Sequence, residues 1–219
     1  MNILALDTTS EWGGVAIRAD GQKLADIAVH APDGFAHLLF PAIQEALATS
    51  RLKLSEIDCF AAASGPGSFT GVRVGMSAVK GMAAALGKPA AGVSNLRALA
   101  LFGSLPLRAT LLDARRGEAY TAVYDPALEL VLPETVLELR RWLPTLEGAE
   151  YEFVTAKGAP FRAVLEGTRF AGMPWTEVAT NLAPAVAQVA ERAQWGDPAL
   201  LDANYVRRSD AELFWKEER

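Results

Sequence analysis

The hydrophobic and polar positions of the chain first form short apolar runs separated by turns. The opening run, "NILALD" (2–7), is apolar, ends in a carboxylate and is followed by the turn-rich stretch "TTSEWGG". Two further strand-like runs flank Asp20-Gly21, a dipeptide typical of β-hairpins. The opening of the chain therefore predicts three strands connected by short turns.

The pattern then changes to helical periodicity interrupted by short apolar runs. It predicts helices at 34–50, 71–87 and 95–103, the last ending at Gly103, and strands at 57–64 and 88–94.

The second part of the chain repeats this order. Residues 109–134 again predict a strand, a terminal aspartate, a glycine-containing turn and two more strands, with Asp113 in the place of Asp7. Further elements are predicted as helices at 135–143, 160–167 and 181–195 and as a strand at 151–156. This repetition indicates a duplicated α/β protein.

Duplicated α/β halves are the architecture of the actin, hexokinase and Hsp70 group, which predicts a fold and no particular activity. Each half is expected to be a mixed sheet with flanking helices. We place the halves at 1–104 and 105–219, joined through "SLPL" (104–107), with the charged tail "SDAELFWKEER" packing back on the first half or fraying.

The stretch "SGPGSFTGVRVG" (64–75) contains four glycines in twelve positions and runs directly into a predicted helix. It lacks the lysine of a P-loop, and Thr70 stands where the dinucleotide fingerprint needs glycine. A tight strand-to-helix turn remains, with Ser68 or Thr70 as the helix cap and with backbone N–H groups that can hold an anion. Phosphate binding, a structural turn and a protein interface stay open.

Two predicted helices are more apolar than one buried face requires. The apolar positions of 35–47 cover roughly 200° of the helix, about twice the usual stripe. Gly75 and Gly81 each cost a helix roughly 1 kcal/mol, which is tolerated where something approaches the backbone closely. Either the chain's own domains cover both helices, or a partner does. The predicted partner interface consists of Phe35, Leu39, Ile43, Leu47, Val72, Gly75, Met76, Val79 and Met82. On this interpretation Gly75→Leu or Val79→Glu abolishes partner binding and leaves the monomer folded.

Charge and composition narrow the class of protein. The net charge is −5, and no basic stripe supports an independent grip on nucleic acid. Cys59 is the only cysteine, which excludes an intrachain disulfide and indicates a cytoplasmic protein. No apolar run approaches the length of a membrane span.

Few residues carry candidate chemistry, and we nominate no catalytic residue. His30 and His37 fall in different predicted elements, so no metal site is expected. Asp7 and Asp113 each end a strand near the expected cleft, where an ATP-binding protein of this fold holds Mg²⁺. Both can equally be turn caps. A degenerate nucleotide or anion site is predicted from Asp7, Thr8, Thr9, Gly67, Ser68 and Asp113.

Five motifs together resemble one family. They are "ILALDTTS", "SGPGSFTGVRVG", "GVSNLRALA", "LLDARRGEAY" and "NYVR". The combination resembles the TsaB (YeaZ-like) family, the non-catalytic partner in bacterial tRNA threonylcarbamoyladenosine synthesis. One departure is Phe35-Ala36, where relatives often carry a His-Ser-type pair.

The resemblance implies an ASKHA-type fold shared with the catalytic paralogue TsaD, which carries the metal site. It implies docking with TsaD through the two N-terminal helices, a TsaE-type ATPase in the assembly, and homodimers through the same surface when the chain is alone. RNA is then reached only through the complex. No cofactor is expected on the isolated chain, and ATP with Mg²⁺ belongs to the complex. The alternatives are an independent ATP-binding enzyme of the kinase or ATPase type and a metallo-glycopeptidase-like protein.

Overall fold

The first half of the chain forms a five-stranded mixed sheet. The structure, a computed structural model, describes residues 1–148, 150–156 and 160–206 of the 219-residue chain. The strands are β1 (Asn2–Asp7), β2 (Trp12–Ala19), β3 (Gln22–His30), β4 (Cys59–Gly65) and β5 (Ala90–Ser94). Their order is β3-β2-β1-β4-β5, with β1 antiparallel to β2 and parallel to β4. The helices of this half are α1 (Leu39–Ser50), α2 (Phe69–Leu86) and α3 (Asn95–Ala100).

The second half repeats the same topology. Its strands are β6 (Arg108–Asp113), β7 (Glu118–Tyr124), β8 (Leu130–Glu138), β9 (Glu152–Ala156) and β10 (Trp175–Val178), in the order β10-β9-β6-β7-β8. Its helices are α4 (Leu139–Trp142), α5 (Arg162–Leu165) and α6 (Ala183–Ala190). Short 3₁₀ turns occupy Leu54–Glu56, Leu143–Thr145 and Pro198–Leu200. The prediction of two similar ASKHA-type halves, each a mixed sheet with helices, is confirmed.

Several helix ends differ by a few residues from the prediction, including 181–195, which is helical only over Ala183–Ala190, and three further differences are larger. The helix expected from residue 34 begins at Leu39, because Leu38 N and Leu39 N both donate to the Phe35 carbonyl and form a separate turn. The helix predicted at 135–143 is wrong over 135–138, which continue β8 and pair with β7. Strand β10 was not predicted, since four residues are too few for a clear alternation.

The two halves exchange helices. Helix α6 lies against β1, β2 and β4 of the first sheet, whereas α3 lies against β6 and β7 of the second. One apolar cluster therefore contains residues of both halves, among them Ala5, Leu99 and Val186. A second cluster fills the space between the first sheet and helices α1 and α2.

Polar contacts also attach the C-terminal part of the chain to the first sheet. Arg18 and Glu191 form an ion pair at 3.2 Å. Gly196 and Ala90 exchange backbone hydrogen bonds of 2.9 and 3.0 Å at the free edge of β5. The chain then follows α2 as far as Val206, and the predicted tail lies outside the described residues. Among the described helices, none has both the length and the hydrophobicity to cross a membrane.

Candidate functional site

A cleft of about 610 Å³ opens between the two halves. The β1–β2 loop and the β4–α2 turn form its wall on the first half. The β6–β7 hairpin and the residues before α6 form the wall on the second half. Four of the predicted site residues line it, namely Thr9, Gly67, Ser68 and Asp113.

Asp7 lies beneath the cleft, where it is buried and bonded within the protein. Its Oδ1 accepts hydrogen bonds from Thr9 N at 3.0 Å and from the Thr9 hydroxyl at 2.6 Å. Its Oδ2 accepts from Leu182 N, at the start of α6, at 2.9 Å. Burial raises the pKa of Asp7, and the hydrogen bonds from Thr9 and Leu182 oppose that rise. Asp7 therefore serves as an internal acceptor that joins the two halves.

The two threonines after Asp7 are also bonded internally. The Thr8 hydroxyl donates to the Gly71 carbonyl at 2.6 Å. Thr9 Oγ1 accepts from Asn95 Nδ2 at 2.5 Å, and Asn95 Oδ1 accepts from Gly65 N at 3.3 Å. Asn95 was missed by the sequence analysis, although a buried polar residue that opens an otherwise apolar helix is the signal that could have found it.

Asp113, the counterpart of Asp7 in the second half, has a different environment. Its side chain is 35% exposed, and its Oδ1 accepts from Arg115 N at 2.8 Å within the same hairpin. Its Oδ2 lies 3.7 Å from a guanidinium nitrogen of Arg115. Asp113 therefore lines the cleft, whereas Asp7 lies beneath it and is bonded within the protein.

The glycine-rich turn begins α2 as predicted. Ser68 caps the helix, with its Oγ accepting from Gly71 N at 3.3 Å, and Ser68 N donates to the Thr9 carbonyl at 2.7 Å. A Cβ at Gly67 would lie 2.6 Å from Thr9 O. A Cβ at Gly71 would overlap the Thr8 carbonyl oxygen. These glycines therefore allow α2 to touch the chain's own β1–β2 loop.

Gly75 and Gly81 differ in what surrounds them. A Cβ at Gly75 would lie 2.5 Å from the Thr8 hydroxyl oxygen, whereas a Cβ at Gly81 would meet nothing within 4 Å. Gly75 is thus explained by packing within the chain. Gly81 lies on the outer side of α2, and nothing in the described chain requires a glycine there.

The residues predicted for the partner interface pack inside the protein. Leu47 is half-buried. The other eight are buried between the first sheet and its helices: Phe35, Leu39, Ile43, Val72, Gly75, Met76, Val79 and Met82. Burial argues against the expectation that Gly75→Leu and Val79→Glu leave the monomer folded, because both substitutions act on internal contacts. The sequence pattern showed that both helices are unusually apolar. It could not show which face of each helix packs against the first sheet and which face is exposed.

The outer faces of the two helices are a mixture of aromatic, basic and small residues. Phe40 on α1 is 56% exposed and Phe69 on α2 is 44% exposed. The guanidinium of Arg73 lies 3.7 Å from the centroid of the Phe69 ring, and its Nε donates to the Tyr205 hydroxyl at 3.2 Å. The exposed positions that follow along α2 are small: Ser77, Gly81, Ala84 and Ala85. We call Phe40, Phe69, Arg73 and these four residues the outer face.

Other candidate groups are inert in this arrangement. Cys59 is buried, and burial raises the pKa of its thiol to about 12, so a reactive thiolate does not form at neutral pH. Within 1–148, 150–156 and 160–206, no three His, Cys, Asp or Glu side chains are grouped to hold a metal ion.

Comparison with known proteins gives consistent results. The family model described as "TsaD: tRNA N6-adenosine threonylcarbamoyltransferase" matches residues 30–196. The Bacillus subtilis tRNA threonylcarbamoyladenosine biosynthesis protein TsaB is 29% identical over the full length of both chains. The Escherichia coli protein of the same name is 38% identical over 57% of this chain and 55% of its own length.

Solved structures support the same grouping. YeaZ from Pseudomonas aeruginosa superposes with a TM-score of 0.75 at 28% identity, covering 93% of this chain and 99% of that one. The ADPNP-bound activator of 2-hydroxyisocaproyl-CoA dehydratase from Clostridium difficile has a TM-score of 0.53 at 8% identity, covering 89% of this chain and 98% of its own. The second likeness shows the fold alone.

Proposed function

The chain belongs to the TsaD family as a TsaB/YeaZ-like member, and on this premise we propose that it is a non-catalytic subunit of tRNA threonylcarbamoyladenosine synthesis. In this role it docks with a TsaD-type enzyme that transfers threonylcarbamoyl to N6 of adenosine 37. The names of its relatives support the pathway.

The observation that carries the proposal is the open surface around Gly81 in the middle of α2. A glycine inside a helix costs about 1 kcal/mol relative to alanine, and an added Cβ at this position meets nothing within 4 Å in the described part of the chain. The missing side chain instead leaves room for another backbone to approach closely. Small neighbours at Ser77 and Ala84 extend this room along the helix, as a second packed helix requires.

The rest of the outer face supports the same use. The exposed rings of Phe40 and Phe69 are the kind of aromatic side chain that dominates binding energy at interfaces. Arg73 adds a cation held beside Phe69. The interface residues predicted from the sequence pack between the helices and the first sheet. In this proposal the partner therefore contacts the outer face.

The remaining parts of the assembly are proposed on the family relationship. A TsaE-type ATPase joins the complex, ATP and Mg²⁺ act there, and RNA is reached only through it, in the cytoplasm. The isolated chain forms a homodimer through the outer face. We also propose that the two halves meet at 104/105.

Reconstitution tests the proposed function. A TsaD-type enzyme, a TsaE-type ATPase, threonylcarbamoyl-adenylate and tRNA are combined with and without this chain, and modified adenosine is measured by mass spectrometry. We expect product only when the chain is present, and loss of product with Gly81→Leu. Gly172→Leu is the matched control, since Gly172 is also exposed with open space around it but lies in the second half. Equal product without the chain would contradict the proposal.

Nucleotide titration separates this function from that of an independent ATP-binding enzyme. Isothermal titration of the isolated chain with Mg-ATP is expected to give no micromolar binding, because Asp7, Thr8 and Thr9 are engaged internally. Micromolar binding would instead favour the enzyme.

A further inference from the structure

A continuous set of hydrogen bonds crosses the floor of the cleft and joins the two halves. Gly65 N donates to Asn95 Oδ1, and Asn95 Nδ2 donates to Thr9 Oγ1. The Thr9 hydroxyl donates to Asp7 Oδ1, and Leu182 N donates to Asp7 Oδ2. We call these five residues the floor network. It connects the end of β4, the start of α3, the β1–β2 loop and the start of α6.

The side chains of the floor network are removed from water. Asp7, Thr9 and Asn95 are each no more than 4% exposed. Hydrogen bonds in such surroundings are expensive to break, because a separated donor or acceptor stays buried without a partner. Asn95 begins α3, which lies against the second sheet, whereas Leu182 begins α6, which lies against the first. Moving the second sheet together with α3 would therefore pull Asn95 away from Thr9 and Gly65 and incur this loss.

The network does not follow automatically from the duplicated fold. Asp113 occupies the position equivalent to Asp7 in the second half, but its recorded hydrogen bond stays within its own hairpin, with Arg115. The Asp7 side chain bonds across the two halves, and the backbone donor it uses begins a helix that packs on the first sheet.

The network also reaches the start of α2. The Thr9 carbonyl accepts from Ser68 N at 2.7 Å, and the Thr8 hydroxyl bonds to the Gly71 carbonyl. The loop that carries Asp7 and Thr9 is therefore attached to α2 on one side and to α6 on the other.

We propose that the floor network is a lock that holds the two halves in one arrangement, with Asp7, Thr9 and Asn95 as its positioning residues. The cleft then does not open and close around a ligand, and α2 keeps one orientation relative to the second half. This inference stands independently of the proposed function, since it concerns the isolated chain.

Distance measurements between the halves test the lock. Spin labels are attached at Gln22→Cys and Glu166→Cys, two exposed positions in different halves, while the buried Cys59 stays unlabelled. Labelled protein is diluted with unlabelled protein so that distances between copies do not contribute. We expect one narrow distance distribution for the protein with native Thr9. A broad or bimodal distribution there would overturn the lock.

Thr9→Val removes the hydroxyl that links Asn95 to Asp7 and keeps the side-chain shape. We expect the distance distribution to become at least twice as wide, and the Leu182 amide to exchange its hydrogen about tenfold faster or more, as expected for the loss of a buried bond. Thr121→Val is the matched control. Thr121 is also buried, and its hydroxyl has no hydrogen-bond partner in the described part of the chain. It should leave the distance distribution unchanged and should not accelerate the exchange of the Leu182 amide.

Two further variants keep the test decisive. Thr9→Ser restores the hydroxyl and should return the narrow distribution. Asn95→Ala interrupts the network at α3 and should broaden the distribution by a separate route, even where Thr9→Val fails to fold. Native distances and native Leu182 exchange in the folded disrupting variants would overturn the proposal.

Discussion

The Thr8 hydroxyl lies directly against Gly75 of α2. A Cβ added at Gly75 would be only 2.5 Å from Thr8 Oγ1. That hydroxyl is held in place by its hydrogen bond to the Gly71 carbonyl, one turn earlier on α2. Loop and helix therefore meet without room for a methyl group. This contact gives a physical reason for a glycine in the middle of an 18-residue helix.

Gly75→Ala is expected to destabilise the isolated chain. The overlap with Thr8 typically costs about 1–3 kcal/mol, which outweighs the gain of up to about 1 kcal/mol from the helix propensity of alanine. Urea unfolding followed by circular dichroism measures the difference. A midpoint equal to or above that of the unaltered chain would show that the loop yields easily.

Gly81→Ala is expected to have the opposite effect on stability. The position is open, so alanine stabilises the fold by about 0.4–1 kcal/mol through the unfolded state. Gly81→Leu also folds, and we expect it to weaken binding to the TsaD-type partner by at least tenfold in isothermal titration. Unchanged affinity for Gly81→Leu, alongside unchanged affinity for the control Gly172→Leu, would remove Gly81 from the interface.

Val79 and Ser77 lie two positions apart on opposite faces of α2, and substitution of each by Glu tests the assignment of these faces. Val79 is fully buried, so a carboxylate there is expected to abolish cooperative unfolding. Ser77 is exposed, so its substitution should change the free energy of unfolding by no more than about 0.5 kcal/mol and should reduce partner binding. Thermal unfolding monitored by circular dichroism distinguishes them, and a stable Val79→Glu protein would contradict the assignment of faces.

Glu152 is expected to make stability depend on pH. Glu152 lies on β9, and its carboxylate accepts hydrogen bonds from Thr176, Ser104 and Leu105. These bonds attach the linker between the halves (104–107) to the second sheet. Burial alone would raise the pKa of Glu152. The hydrogen bonds from Thr176, Leu105 and Ser104 outweigh burial and hold the pKa below the usual 4.5.

Because the native pKa is lowered, this stabilisation is present above pH 4.5 and is lost as the pH falls through the native value. We expect Glu152→Gln to lose about 1–3 kcal/mol at pH 7, typical of hydrogen bonds to a charged group. The difference from the unaltered chain should shrink at pH 3. Urea titrations at the two pH values measure it, and an equal deficit at both would argue against a charged acceptor.

Thr121→Val is expected to stabilise the protein by about 1 kcal/mol. The Thr121 hydroxyl is buried in β7 and has no hydrogen-bond partner among the described residues, so its removal avoids a desolvation cost. Thr155→Val is the comparison, since that hydroxyl donates to the Leu111 carbonyl at 2.9 Å. Thr155→Val should destabilise, and the reverse order of unfolding midpoints would contradict the prediction.

The amino-acid pattern by itself determined most of the order of strands and helices, apart from β10, and the duplication of the chain. Apolar runs ending at Asp7 and Asp113, each followed by a turn and a hairpin, were sufficient, because such local patterns reflect one residue's immediate neighbours. Local sequence also limited the cap of α2 to Ser68 or Thr70, and the structure uses Ser68. It misassigned 135–138, because that stretch is held in β8 by pairing with β7.

Only the tertiary structure decided how these elements are used. The exchange of α3 and α6 between the sheets, and the bond from Asp7 to Leu182 across 175 positions, have no signal in local periodicity. Both α1 and α2 are apolar around much of their circumference, so periodicity could not say which face the first sheet covers. The sheet buries Val79 and leaves Gly81 open, since a residue's role depends on which distant segment packs against it.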